Sequence, residues 1–271
     1  MIELADVEKP KIRISRRPIW SGRLTIGLVN VPVKLEAMLF DKGVKFRFLH
    51  KADGSPLKYE KVCIKEGTAV SWQDIDKGYE VSKGQFVVFD KKELNAARPE
   101  SDSRIRVDKF VDYLSTDPVY FERSYVLLPD KSDDAYSLLL TALHSLGKAG
   151  VGRITMRTKE YPVLVHPYKG ALVLTTLRYA YEVADPSELE ELKKLKEPKR
   201  DELDLAVKII GDLSGEFNIG DYRDSYREKI EELIQKKQKG ETIVVEKPVK
   251  EEAAKELMVA LQETLKQLKN K

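Results

Sequence analysis

From about residue 19 to 128 apolar and polar positions alternate with a period near two, the pattern of strands with one buried face. In SGRLTIGLVNVPVKL (21–35), Leu24, Ile26 and Leu28 alternate with Thr25, Gly27 and Val29, which predicts a strand. Pro32 cannot donate to a ladder, so it marks an end, an edge or a bulge. Val44, Phe46 and Phe48 alternate with Lys45 and Arg47, predicting a strand with one face on a core and one positive face. KADGSP (51–56) has turn chemistry, and FVVF (86–89) reads as a short buried strand. Ile105 and Val107 alternate with Arg104 and Arg106, and VYFERSYVLL (119–128) is a further strand. The first helix is predicted over 132–146, with Ser132 as N-cap, acids in its first turn and Gly147 ending it. Two β runs follow. VGRITMRTK (151–159) places Arg153, Arg157 and Lys159 opposite Ile154, Met156 and Thr158, and ALVLTTLRYAYEV (171–183) closes the β-rich part.

The pattern changes near Asp185. ELEELKKLKEPKRDEL is charged and broken by Pro198, which marks a boundary. Helices are predicted over 202–213 and 222–239, the second with Tyr222, Tyr226, Ile230 and Leu233 or Ile234 on one face. ETIVVEKPVK (241–250) reads as a linker. A last helix carries Leu257, Leu261, Leu265 and Leu268 on one stripe, and a helix of that length needs a surface to dock on. The expected organisation is a β core over 1–185, a helical arm over 186–240, and a linker with an amphipathic helix over 241–271. The fold class is mixed, mainly β.

Composition changes this picture in two places. One cysteine, Cys63, excludes an intramolecular disulfide and points to a reducing compartment. No leader-like segment and no membrane span is legible in the 271 residues, so a cytoplasmic protein is expected. The net charge of +3 conceals an asymmetry: from Lys9 to Lys65 there are fourteen Lys and Arg but four Asp and Glu. Concentrated positive charge of this kind suits a polyanion.

Catalytic constellations are missing. Gly22 and Gly27 are not followed by the Lys and Ser/Thr of a phosphate loop. GKAGVGR (147–153) follows a helix and leads into a strand, the reverse of the dinucleotide-binding order. The three histidines, His50, His144 and His166, are scattered, and no HExxH, GxSxG or Cys-x-x-Cys occurs. Asp130, Asp133 and Asp134 in PDKSDD offer carboxylates for a metal-dependent nuclease, but helix capping accounts for acids at that place. Binding is therefore the expected class, without enzymatic activity, cofactor or metal.

Five collinear segments carry a resemblance. IWSGRLTIGLVNVPVKL, FLHKADGSPLKYEKVC (48–63), DIDKGYEVSKGQFVVF (74–89), DPVYFERSYVLLPD (117–130) with AYSLLLTAL, and GEFNIGDYRDSYREKIEELIQKK (215–237) resemble the prokaryotic Ku proteins in order, from about 16 to 240. The resemblance implies a β-barrel core, an inserted DNA-encircling bridge over about 44–85, and a C-terminal helical arm. It also implies a ring-shaped homodimer that takes double-stranded DNA ends and recruits an ATP-dependent end-joining DNA ligase. Many members carry Cys-x-x-Cys after the basic segment. Here Ile64, Lys65 and Glu66 follow Cys63, and no zinc is expected, since one cysteine per chain cannot supply four ligands.

A ring that accepts any broken end has to contact phosphate and sugar rather than bases. Lys45, Arg47, Lys51, Lys58, Lys61 and Lys65 are the first DNA-binding candidates, then Arg16, Arg17, Arg23 and Lys34, then Arg104 and Arg106. Dimerisation is expected from Tyr222, Tyr226, Ile230 and Leu233, and ligase contact from Leu257, Leu261, Leu265 and Leu268. Nucleoid association follows from DNA binding. Two alternatives compete: a nucleoid-coating protein without end preference, and the nuclease.

Overall fold

The computed structural model describes residues 18–98, 103–241 and 257–269. They divide into two compact units, one of residues 18–41 and 47–184, the other of 42–46 and 185–269. The first unit runs β1 (Trp20–Ile26), β2 (Val29–Ala37), β3 (Lys77–Ser82), β4 (Gln85–Phe89), α1 (Lys91–Ala96), β5 (Arg104–Asp112), β6 (Phe121–Pro129), α2 (Asp133–Leu146), β7 (Lys148–Met156), β8 (Lys159–Tyr168) and β9 (Ala171–Leu177). Seven strands close a barrel in the order β1-β2-β6-β9-β8-β7-β5. Its seams are antiparallel except the one that joins β1 to β5 in parallel. Closure removes the open edges a sheet would otherwise expose.

Alternation puts Leu24, Val31, Val33, Leu35, Ile105, Leu127, Ile154, Val163, Val165, Leu172 and Leu174 inside, all essentially without solvent contact. Each such side chain stabilises the barrel by about 1.5–3 kcal/mol relative to exposure. Helix α2 adds Tyr136, Leu139, Leu140 and Leu143, one helical face, to the same core. Gly147 ends the helix in the left-handed conformation, as predicted. Ser132 occupies the N-cap position without capping; its hydroxyl donates instead to the Pro32 carbonyl at 2.6 Å.

Several strand readings need correction. SGRLTIGLVNVPVKL is a hairpin rather than one strand: Ile26 pairs with Val29 around a two-residue loop, with Gly27 at φ +56°. Glycine at the first loop position suits the twist of a tight hairpin. Pro32 lies inside β2 opposite Arg23, and it does not lead the chain out of the barrel. The N–H and C=O of one strand residue point to the same side. The Pro32 carbonyl meets the Asp130 N–H at 3.0 Å, just beyond the end of β6, so the absent N–H falls where the ladder has run out. VGRITMRTK is likewise two strands, turning at Arg157 (φ +58°) and Thr158. Arg157 is therefore a turn residue and shares no strand face with Arg153.

After β2 the described residues 38–98 lie outside the barrel strands, and the barrel resumes with β5. Val44, Phe46 and Phe48 form no strand there, and Phe46 and Phe48 are 67% and 73% exposed. FVVF is a strand, β4, but it pairs only with β3 and all its side chains are exposed. Alternation reports amphipathicity, not whether anything lies on the apolar face.

The second unit holds α3 (Glu190–Lys193), α4 (Arg200–Leu213), α5 (Ser225–Gln238) and α6 (Leu257–Lys269). Asp224 caps α5 by accepting from the Arg227 N–H, so Tyr222 precedes the helix instead of lying on its first turn. Tyr222 and Tyr226 are exposed, while Ile230 and Leu233 are half-buried. Helix α6 packs along α4, with Leu265 buried and Leu261 half-buried. Leu257 and Leu268 belong to α6, but their side chains lie outside the described residues, as does most of the expected linker.

Candidate nucleic-acid interface

The inserted segment shapes itself with short loops rather than a core. The KADGSP turn is closed by backbone bonds from the Gly54 N–H to the His50 carbonyl and from the His50 N–H to the Ser55 carbonyl, both 2.8 Å. Asp53 accepts from the Ser55 N–H at 3.0 Å and lies 3.0 Å from His50 Nδ1; these bonds, the Ser55 one foremost, hold its carboxyl below the ordinary range. Bridges Leu49–Pro56 and Val62–Ala69 complete two small loops that carry Lys51 and Lys65, with Lys58 and Lys61 on the stretch between them, and all four residues are exposed. Lys58 pairs with Glu60 at 2.7 Å, and that bond raises its pKa. The Lys61 ammonium stands 3.5 Å above the Trp72 ring, a cation–π contact. Arg47 is exposed in the first unit, whereas Lys45 belongs to the second, so the strand expected to present both does not exist.

The barrel carries a second group of cations. Arg23 faces Arg104 across the parallel seam, and Arg106 faces Arg153 across β5 and β7. Their neighbours Leu24, Ile105 and Ile154 are buried, so all four arginines lie on the outer wall. Like charges directly opposite one another cost folding stability and are tolerable where anions gather. Asp108, 3.4 Å from Arg153, supplies one. Lys34 is half-exposed and bound to Asp130 at 2.7 Å. Arg16 and Arg17 lie outside the described residues.

Sequence reasoning missed Arg153 as a site candidate, and also Trp72, Lys77, Lys91 and Arg98. The last three follow Lys65, in the part of the chain whose net charge is negative, so a count along the sequence passes over them. The fold returns them to Lys61 around a groove. Asp130 is held by Lys34, and Asp133 and Asp134 occupy the first turn of α2, where the helix dipole favours acids. Among the described residues no three His, Cys, Asp or Glu cluster as a metal site, and no helix is long and apolar enough to cross a membrane.

A closed barrel with a long insertion between its second and third barrel-forming segments, lysine-rich in its first part, followed by a helical unit, is the class of molecule these features define. The family model described as Ku70/Ku80 beta-barrel domain matches residues 25–205. A protein of Anaeromyxobacter sp. (strain K), named Non-homologous end joining protein Ku, is 40% identical over 244 residues, 89% of this chain and 81% of that protein. A protein of the same name from Archaeoglobus fulgidus is 37% identical over 254 residues, 93% of this chain and the whole of the relative. One from Bacillus subtilis is 33% identical over 93% of this chain and 82% of its own length. The chain belongs to the Ku family.

Proposed function

We propose that this protein acts in non-homologous end joining by binding DNA double-strand ends without reading sequence, as a homodimeric ring, and by recruiting an end-joining ligase. The observation that carries the reading is a coincidence of position. The exposed cations lie on the inserted segment, over the stretch the resemblance assigns to the bridge, in a chain similar along most of its length to proteins named for end joining. Phosphate contacts by Arg47, Lys51, Lys58, Lys61 and Lys65, with Arg23, Arg104 and Arg106 on the barrel wall, release counterions. With six or more such contacts, affinity falls about 10³-fold or more between 50 and 200 mM salt. End preference comes from topology, because a closed ring loads only at a terminus.

In this reading residues 186–240 are the dimerisation arm. Its support is the exposed apolar surface of the second unit, where Leu203, Val207 and Ile210 of α4 and Tyr226 of α5 meet solvent. A second copy would cover them. We assign ligase contact to α6, whose buried Leu265 holds it to its own unit while Val259 is exposed.

The test is a mobility shift on linear and covalently closed duplex, with and without magnesium. Binding to linear DNA alone, intact afterwards, is the expected result. Equal binding to both forms would make this a nucleoid-coating protein, and magnesium-dependent cleavage would make it a nuclease. Truncation near Asp185 should yield a monomer by light scattering; a truncated chain that still dimerises refutes the role of the arm.

A further inference from the structure

A groove of about 580 Å³ opens on the inserted segment between the single helical turn Trp72–Asp74, the β3–β4 hairpin and α1. Ile75, Phe89 and Leu94 contribute apolar walls. Lys61, Lys77, Lys91 and Arg98 line it against one carboxylate, Asp76. A second groove, about 480 Å³, shares Lys61 and Trp72 with the first and runs past Tyr59. The Lys61–Trp72 pair thus stands where the two meet. Trp72 is 72% exposed even with an ammonium over one face, and Tyr59 is 87% exposed.

Planar aromatic surfaces in a track of cations are what an unpaired nucleic-acid strand requires: bases stack on the rings while phosphates follow the charge. A duplex cannot use such rings, because its base faces are already stacked on one another. From this juxtaposition we infer that the groove binds single-stranded DNA, the overhang of a broken end, with bases on Trp72 and Tyr59 and phosphates on Lys61, Lys77, Lys91 and Arg98. The inference rests on the proposed end-binding function and extends it to the unpaired part of the end. An acidic peptide satisfies the charge but has no use for the exposed ring faces.

The experiment uses the full chain in a W20F background, which leaves Trp72 as the only tryptophan. A twelve-residue oligothymidylate should quench its fluorescence. Because W72A and W72F lack the reporting ring, their binding is followed instead by the anisotropy of an end-labelled oligothymidylate: W72A should weaken binding about tenfold, the value of one stacked base, and W72F should lose less. K91E tests the charge separately, because an acid in the first turn of α1 suits the helix and leaves the fold intact. It should weaken oligothymidylate binding several-fold. Blunt duplex binding should stay within about twofold in all variants. The inference is overturned if Trp72 is not quenched, if W72A or K91E weakens blunt duplex as much as oligothymidylate, or if a polyglutamate of equal length quenches and competes equally. Failure of the unsubstituted protein to bind blunt linear duplex would instead refute the end-binding function.

Discussion

Replacing Tyr136 by Phe removes one oxygen from the barrel and tests how the barrel is latched. Leu127 of β6 and Leu172 of β9 are partners in the register, yet their backbone groups meet through the phenol of α2. The Tyr136 hydroxyl donates to the Leu127 carbonyl at 2.7 Å and accepts from the Leu172 N–H at 2.8 Å. The residue is 8% exposed, so Y136F keeps the ring's burial and leaves one donor and one acceptor unpaired. Each such group costs about 1–3 kcal/mol, which gives an expected loss of about 2–6 kcal/mol, toward the lower value if the strands close on one another. Urea unfolding followed by tryptophan fluorescence suits the measurement, since Trp20 and Trp72 both belong to the first unit. The midpoint should fall with m unchanged, and the Leu172 amide should exchange faster. Burial also pushes the Tyr136 pKa above its ordinary value near 10. Above that pH the unfolded chain ionises first, so stability falls as pH rises, and more steeply in the wild type than in Y136F. A Y136F protein within about 0.5 kcal/mol of wild type, with Leu172 exchange unaltered, would refute the latch.

Two further outcomes are expected. His166 is 6% exposed beside Tyr113, with rings 4.6 Å apart, and burial lowers its pKa. Below its ordinary value near 6.5 the unfolded state takes the proton first, so stability declines by up to about 1.4 kcal/mol per pH unit. H166Q should flatten that acid limb in denaturation midpoints compared at pH 7.5 and 5, and parallel limbs would refute the assignment. A Cβ at Gly152 would lie 1.8 Å from the Arg106 carbonyl oxygen, whereas one at Gly211 of α4 meets nothing within 4 Å. G152A should therefore destabilise the barrel by about 3 kcal/mol or more, and G211A should stabilise α4 by up to about 1 kcal/mol. A G152A melt at or above the wild-type temperature would contradict the close approach of β5 and β7, and a lowered G211A melt would contradict the open space at Gly211.

The barrel strands were legible because their inner positions alternate, as Ile105 and Val107 do, and α2 because its apolar stripe and Gly147 stop are both in the sequence. The hairpin turns were not. The two-residue loop switches the inner face from even to odd positions, from Leu24 to Val31, Val33 and Leu35, while Leu28 continues the phase of β1 although it is 98% exposed. The apolar residues of the insertion read as core because pattern alone cannot say what covers them. For the candidate interface, local charge density found Lys51, Lys58, Lys61 and Lys65, which lie close together in the chain. It did not find Lys77, Lys91 and Arg98, because only the hairpin and α1 bring them to Lys61, nor Arg153, because its place opposite Arg106 is a matter of register.

Strand order also sets a timetable for synthesis. β9 lies between β6 and β8, so no closed barrel exists until the chain has emerged past Leu177. At about 5–20 residues per second, β1 waits roughly 8–30 s for that strand. Meanwhile the β1–β2 hairpin holds open edges, and the insertion already displays Phe46, Phe48, Phe86 and Val88 to solvent. Unpaired edges and uncovered aromatics on a tethered chain are what holding chaperones recognise. Faster translation up to β9 should shorten that exposure more than any change to the helices made after it.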